Sequence, residues 1–227
     1  MRVAVLLVPG AGTIPRGSAA VVIDVLRAST TLTVGLTNRA RGVVPVATPE
    51  EAFERKRRDP EALLCGERDG RKIPGFDLGN SPREYPAEVV SDRTLIFAST
   101  NGSLAMIRAR SARRRLLGCF LNASAVVESL AGEDRVALVC AGKLGRFSLE
   151  DAACAGWLTE RLVQRGARIE DASARFARGL APRDRFEVRA LIEGSSHGRY
   201  LRGLGTEFRR DVALSAMLDH LSRVFEI

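Results

Sequence analysis

Short apolar runs alternate with segments of helical spacing along nearly the whole chain. The apolar runs at 3–8, 21–25, 43–46, 62–65, 94–98, 116–119 and 136–140 are rich in Val, Leu and Ile and close on Gly, Asp, Ser or Asn, so they read as β-strands. Between them, apolar residues recur every three or four positions over 29–38, 49–57, 103–110, 124–130 and 149–165. The same helical spacing returns at 182–193 and 207–220. Near-continuous apolar strands separated by helices predict a largely parallel or mixed sheet covered on both faces. The expected fold is α/β, a three-layer sandwich with a helical C-terminal part. It is read as a single domain over 1–227, with two closely packed lobes as the variant.

Composition changes this picture little. Of 227 residues, 45% are hydrophobic and 27% charged, as in ordinary globular proteins. No apolar run approaches the roughly 20 residues of a membrane-spanning helix. The apolar start lacks the charged region and cleavage site of a signal peptide and reads as a first strand, so a cytoplasmic protein is expected. Cys65, Cys119, Cys140 and Cys154 form no Cys-x-x-Cys pair, which suggests neither a zinc site nor a disulfide framework. The net charge of +8 rests on scattered Arg, with only three Lys among 35 basic residues. No aromatic side chains interleave the basic runs, so nucleic acid is not the expected partner; the positive field suits a small anion.

Ligands of parallel sheets bind at the carboxyl ends of strands, and four junctions there carry chemistry. In the first, an apolar strand delivers Asp24, then Arg27, Ser29 and Thr30. A carboxylate there can ligate magnesium or act as a nucleophile, and Arg with a helix N-terminus can hold phosphate. The same residues also fit a capped helix with Asp24 paired to Arg27. The second holds Glu67 and Asp77 in a Gly-rich stretch ending in Asn80-Ser81-Pro82, suited to a metal or to a plain turn. The third is Ser99-Thr100-Asn101-Gly102-Ser103, a turn whose backbone donors could wrap a phosphate, with a shorter echo at Asn122 and Ser124. The fourth runs from Cys140 through Gly142 to Ser148, Glu150 and Asp151, acids that suit either a helix N-terminus or a magnesium ion. Cys140 and Arg146 also have the spacing of a cysteine-phosphatase loop, the runner-up mechanism, although no His precedes the Cys. A dehalogenase-type phosphatase would need a second acid two residues after Asp24, where Leu26 stands.

Taken together, Val22-Ile23-Asp24-Val25-Leu26-Arg27-Ala28-Ser29-Thr30-Thr31, Gly66-Glu67-Arg68, Gly75-Phe76-Asp77-Leu78-Gly79-Asn80-Ser81-Pro82 and Thr100-Asn101-Gly102 resemble the 2-phosphosulfolactate phosphatase family. The ordered set continues with Asn122-Ala123-Ser124-Ala125, Cys140-Ala141-Gly142, Phe147-Ser148-Leu149-Glu150-Asp151, Ser196-His197-Gly198-Arg199 and Asp211. Lys143 and Arg146 depart from the pattern, standing where smaller or more variable residues are expected, and Ser99 stands where Thr is.

The resemblance implies a magnesium-dependent phosphomonoesterase that converts 2-phospho-3-sulfolactate to 3-sulfolactate on the route to coenzyme M. In that reading Asp24, Glu150 and Asp151 serve the metal, followed by Glu67 and Asp77. Arg27, Ser29, Thr30, Asn80, Thr100, Asn101, Gly102, Ser124 and Gly142 surround the substrate. His197, expected in an exposed Gly-Ser-Ser-His-Gly loop, is placed to protonate the leaving alkoxide. A non-catalytic anion-binding protein is the remaining alternative, and a homodimer is the base-rate expectation for assembly.

Overall fold

The computed structural model describes residues 1–10 and 12–227. Its strands are β1 (Arg2–Leu6), β2 (Ala19–Ile23), β3 (Gly42–Val46), β4 (Leu63–Arg68), β5 (Arg71–Lys72), β6 (Thr94–Ala98), β7 (Arg114–Gly118), β8 (Arg135–Cys140) and β9 (Arg168–Ile169). The helices are α1 (Ala28–Thr37), α2 (Pro49–Arg58), α3 (Ala87–Val90), α4 (Gly102–Arg108), α5 (Ala123–Ser129) and α6 (Leu149–Gln164), then α7 (Ala172–Gly179), α8 (Arg185–Gly194), α9 (Ser196–Gly203) and α10 (Thr206–Ser215). No helix among the described residues is long and apolar enough to cross a membrane.

The strands divide into two sheets. One is fully parallel in the order β7-β2-β8-β1-β9. The other runs β3-β6-β4-β5, parallel except for its antiparallel edge β5. Strand alternation explains how both faces of each sheet are buried. Val21 and Ile23 of β2 pack with Ala153, Trp157 and Leu158 of α6 and with the C-terminal helices. Ala20 and Val22, on the opposite face, join Leu32 of α1, Ala105 of α4 and Leu95 and Phe97 of β6. The far face of β6, carrying Ile96 and Ala98, packs on Ala52 of α2. Each sheet is therefore the middle layer of an α–β–α sandwich, and the two sandwiches share α1 and α4, packed between the sheets.

Local chemistry sets the helix starts. Thr48 accepts a hydrogen bond from the N–H of Glu51 ahead of Pro49, and Ser148 does the same for Asp151 at α6. Asp184 accepts from the N–H groups of Phe186 and Glu187, so α8 begins after it rather than at 182. The seven expected strands are present, with β5 and β9 added as two-residue edges. Helices α3, α7 and α9 stand where none was expected, and α10 stops at Ser215, leaving His220 outside it. The most consequential difference is α9. Ser195 caps it by accepting from the N–H of Gly198, so His197 lies in the first turn of a helix rather than in a loop.

Candidate active site

Parallel pairing brings the carboxyl ends of four strands to one level. Ile23 is in register with Cys140 in one sheet, and Gly66 with Ala98 in the other. The segments that follow line a cleft of about 260 Å³, closed on one side by α9. Asp24, Arg27, Glu67, Asn80, Thr100, Asn101 and His197 line it, joined by Lys143 and Tyr200.

Asp24 sits at the start of the turn into α1 and is 7% exposed. Ser29 builds that turn: its hydroxyl accepts from the Asp24 N–H (2.8 Å) and donates to the Val22 carbonyl (3.1 Å), while its N–H donates to the Asp24 carbonyl (2.9 Å). Thr30 donates its hydroxyl to the Val25 carbonyl. Both hydroxyls are thus committed to the frame of the turn and are fully buried. Burial, then the neighbouring charge of Glu67, raises the Asp24 carboxyl to about 7, against the N–H of Ala28 and the charge of Arg27.

Two glycines permit this arrangement. A Cβ on Gly102 would lie 2.5 Å from Asp24 Oδ2 and 2.4 Å from the Ala28 Cβ. Gly66 has φ +142°, and a Cβ there would stand 1.8 Å from the carbonyl oxygen of Ala98. That close approach of β4 to β6 carries Glu67 to the cleft, where its two oxygens accept from the N–H groups of Gly70 and Thr100, both at 2.8 Å.

Asp151 lies behind the wall. Its Oδ1 accepts from the Val25 N–H (2.8 Å) and its Oδ2 from the Gly142 N–H (3.0 Å), tying the loop after β2 to the loop after β8. Burial and the charges of Asp24 and Glu150 push Asp151 well above the usual carboxylate range, opposed by those two donors. Glu150, 2% exposed, bonds His197 Nδ1 at 3.1 Å. Burial raises Glu150, but the hydrogen bond and charge of His197, with help from Ser148, leave it below its ordinary value.

Arg27 is engaged from the far side of the cleft. It donates to Asp211 Oδ2 at 2.6 Å and to the Gly70 carbonyl at 2.7 Å, and its guanidinium lies 5.0 Å from the Phe208 ring centroid. The Ser81 hydroxyl also bonds Asp211 (2.7 Å), so this buried pair joins α10 to the cleft. Asp77 and Ser124 lie elsewhere. Asp77 accepts from the Leu64 N–H and pairs with Lys56, and Ser124 bonds Asp219 through both its N–H and its hydroxyl. The Gly142 N–H is taken by Asp151, and Gly102 acts through its missing side chain. Cys140 is 1% exposed and burial holds its thiol well above the usual range, while Arg146 is exposed, which is no environment for a thiolate nucleophile.

The acids at the cleft suit magnesium, a hard ion that takes one or two carboxylates and keeps water on its other positions. Among the described residues no group of three or more His, Cys, Asp or Glu side chains is arranged as a ready cage. Among the acids that line the cleft, Asp24 is the one whose charge burial and Glu67 disfavour, so a cation beside it would be stabilising. Two polar atoms at the cleft, Asn80 Oδ1 and Thr100 Oγ1, are buried without a hydrogen-bond partner among the described residues. Such atoms mark where a ligand's polar groups are satisfied.

A family model described as 2-phosphosulpholactate phosphatase matches residues 7–227. The chain belongs to the 2-phosphosulfolactate phosphatase family. Its curated relatives include the probable 2-phosphosulfolactate phosphatase of Thermotoga petrophila, 45% identical over 197 residues, covering 85% of this chain and 82% of the relative. The protein of the same name from Symbiobacterium thermophilum is 44% identical over 195 residues, covering 84% of each. That from Carboxydothermus hydrogenoformans is 39% identical over 231 aligned positions, covering 100% of this chain and 93% of the relative. The chain is therefore a member of a family of phosphoric monoester hydrolases. For a phosphatase of this family the cleft at the strand ends is the candidate active site, and Lys143 and Tyr200 belong in it beside the residues singled out from sequence. Tyr200 follows His197 by three positions, the spacing that puts two side chains on one helix face. That signal is readable only once α9 is known to be a helix.

Proposed function

We propose that this protein hydrolyses 2-phospho-3-sulfolactate, or a closely similar small polyanionic phosphate ester, to the free alcohol and phosphate with magnesium as cofactor. Release of 3-sulfolactate would place it on the route to coenzyme M. One observation carries the reading. Asp24 and Glu67 face each other's charge in a desolvated cleft that also holds Lys143 and His197, beside a partnerless Asn80 Oδ1 and Thr100 Oγ1. A buried acid pair of this kind is stabilised by a cation, and a phosphate ester brings the negative oxygens that the same cation would hold.

On this reading Asp24, with Glu67 beside it, would hold magnesium, and the bound ion would supply positive charge at the phosphoryl oxygens. Glu67 also stiffens the cleft floor, because its two backbone donors come from separate loops. Thr100 and Asn80 orient the ester through hydrogen bonds. Glu150 engages His197 at Nδ1, which leaves Nε2 as the ring atom that would protonate the departing alkoxide. Asp151 keeps the Asp24 and Gly142 loops in register and touches no substrate.

The test is phosphate release from 2-phosphosulfolactate and a panel of small phosphate esters, in magnesium and in EDTA. Magnesium-dependent release that is abolished in Asp24→Asn and retained in Cys140→Ala supports the reading. Release that survives EDTA removes the cofactor from it. No release from any ester leaves an anion-binding protein.

A further inference from the structure

The substrate proposed above carries acidic groups besides its phosphate, and the acid-lined floor of the cleft offers them nothing. Lys143 stands on a different wall. The loop that holds it is fixed at both ends: its N–H donates to the Arg146 carbonyl (2.9 Å), and the Arg146 N–H returns to the Lys143 carbonyl (3.0 Å). Gly142 is anchored to Asp151, and the N–H of Leu144 donates to Asn101 Oδ1 at 2.8 Å. The ammonium lies 4.5 Å from the centroid of the Tyr200 ring. Among the described residues Lys143 forms no salt bridge, although Glu150 is near enough to bear on its charge. The bond to Leu144 uses the Asn101 oxygen and leaves the amide nitrogen, which makes no hydrogen bond among the described residues.

We infer that Lys143, steadied by the Tyr200 ring and assisted by the Asn101 amide nitrogen, forms a second anion subsite that binds a sulfonate or carboxylate of the substrate. The assignment rests on the phosphatase reading but is separable from it. An ammonium held over an aromatic face, with no carboxylate partner, keeps its charge available to a ligand. Lys143 lines the same cleft as Asp24 and Glu67, so one molecule could present phosphate to the floor and a second acid to Lys143. Lys143 thereby selects polyanionic esters over simple ones. A Met side chain in its place keeps an unbranched chain of similar length and removes the charge.

The experiment compares Lys143→Met and Lys143→Arg with the parent enzyme on three esters: 2-phosphosulfolactate, 2-phospholactate and glycerol 2-phosphate. Removing a charged hydrogen bond typically costs roughly 10- to 100-fold. The expected result is a loss of that size in kcat/KM for 2-phosphosulfolactate with Lys143→Met, mostly in KM. Lys143→Arg should recover part of it, and glycerol 2-phosphate, with no second acid, should change less than about twofold. Retention on 2-phospholactate assigns the subsite to sulfonate, and a matching loss assigns it to carboxylate. An equal loss on all three esters, or no loss on any, overturns the proposal. A binding arm needs no turnover: calorimetry of 3-sulfolactate and of inorganic phosphate. Weakening of sulfolactate alone by tenfold or more upholds the subsite even if no ester is cleaved, and equal affinities in parent and Lys143→Met refute it.

Discussion

Replacing Asp24 by Asn should destroy phosphate release and at the same time make the metal-free protein more stable. The carboxyl is 7% exposed and its ionisation is moved from 3.8 to about 7 by burial and by Glu67. Each tenfold change in proton affinity corresponds to about 1.4 kcal/mol, so ionised Asp24 costs the fold at most about 4 kcal/mol. The sign follows from proton binding. Well below pH 3.8, Asp24 is protonated in both states and the penalty vanishes; near pH 4 only a small part of it has appeared. As pH rises toward 7 the unfolded chain loses its proton first, stability falls, and the full penalty remains above about pH 7. Asn is nearly isosteric, and its side-chain oxygen can still face the N–H of Ala28. The two proteins should therefore be similar near pH 4 and diverge up to pH 8.

Urea unfolding in EDTA across that range measures the divergence directly. Even half of the ceiling, roughly 2 kcal/mol, would raise Tm by about 4–8 °C in a chain of this size. Adding magnesium should close the gap, because a ligand of the native state stabilises only the protein that binds it. A pH-independent difference, or a less stable Asp24→Asn protein at pH 8 in EDTA, would refute the reasoning.

Three further outcomes follow from the same geometry. Gly102→Ala should abolish activity and cost roughly 1–3 kcal/mol in urea unfolding, since the new methyl meets Asp24 Oδ2 and the Ala28 Cβ; Gly203→Ala, with open space around it, is the control. Asp211→Ala strands Arg27, a guanidinium 4% exposed, and should destabilise the fold by about 3–5 kcal/mol. Iodoacetamide at pH 8 should leave the folded enzyme active and without adducts by mass spectrometry, because all four thiols are buried and Cys65 is pushed up to about 12.

The α/β fold was legible because its strands are buried on both faces, so β2 reads as an unbroken apolar run, AAVVI, whatever lies beside it. The division into two sheets was not legible, since nothing in a strand's own residues says which neighbour it will choose. At the site, the strand-end rule located Asp24, Glu67, Thr100 and Asn101 without any tertiary information. It could not separate residues that face the cleft from those that frame it. Ser29, Thr30 and Asp151 have the chemistry of ligands, yet their polar atoms are taken up by the backbone of the turns they hold. Helix α9 was hidden because Gly194, Gly198 and Gly203 imitate a loop; Gly198 is there because a Cβ would stand 1.9 Å from the carbonyl oxygen of Ile192.

The charges of the cleft impose an order on the proposed reaction. Asp24 and Glu67 concentrate negative charge at the cleft, and Lys143 lines the same cavity with a positive charge. Without a cation at Asp24, phosphate approaching the floor meets repulsion in a medium that screens it poorly. A divalent cation there would offset the charges of Asp24 and Glu67, so that phosphate could approach the floor while Lys143 attracts the second acid. The net charge of +8 acts at longer range, raising the encounter rate of any small polyanion without choosing between them. Discrimination then falls to the groups whose positions the fold fixes: Asn80 and Thr100 at the phosphate, and Lys143 on its doubly anchored loop for the second acid. If so, added salt should weaken capture of every polyanionic ester alike, whereas Lys143→Met should alter the ranking among esters at any one salt concentration.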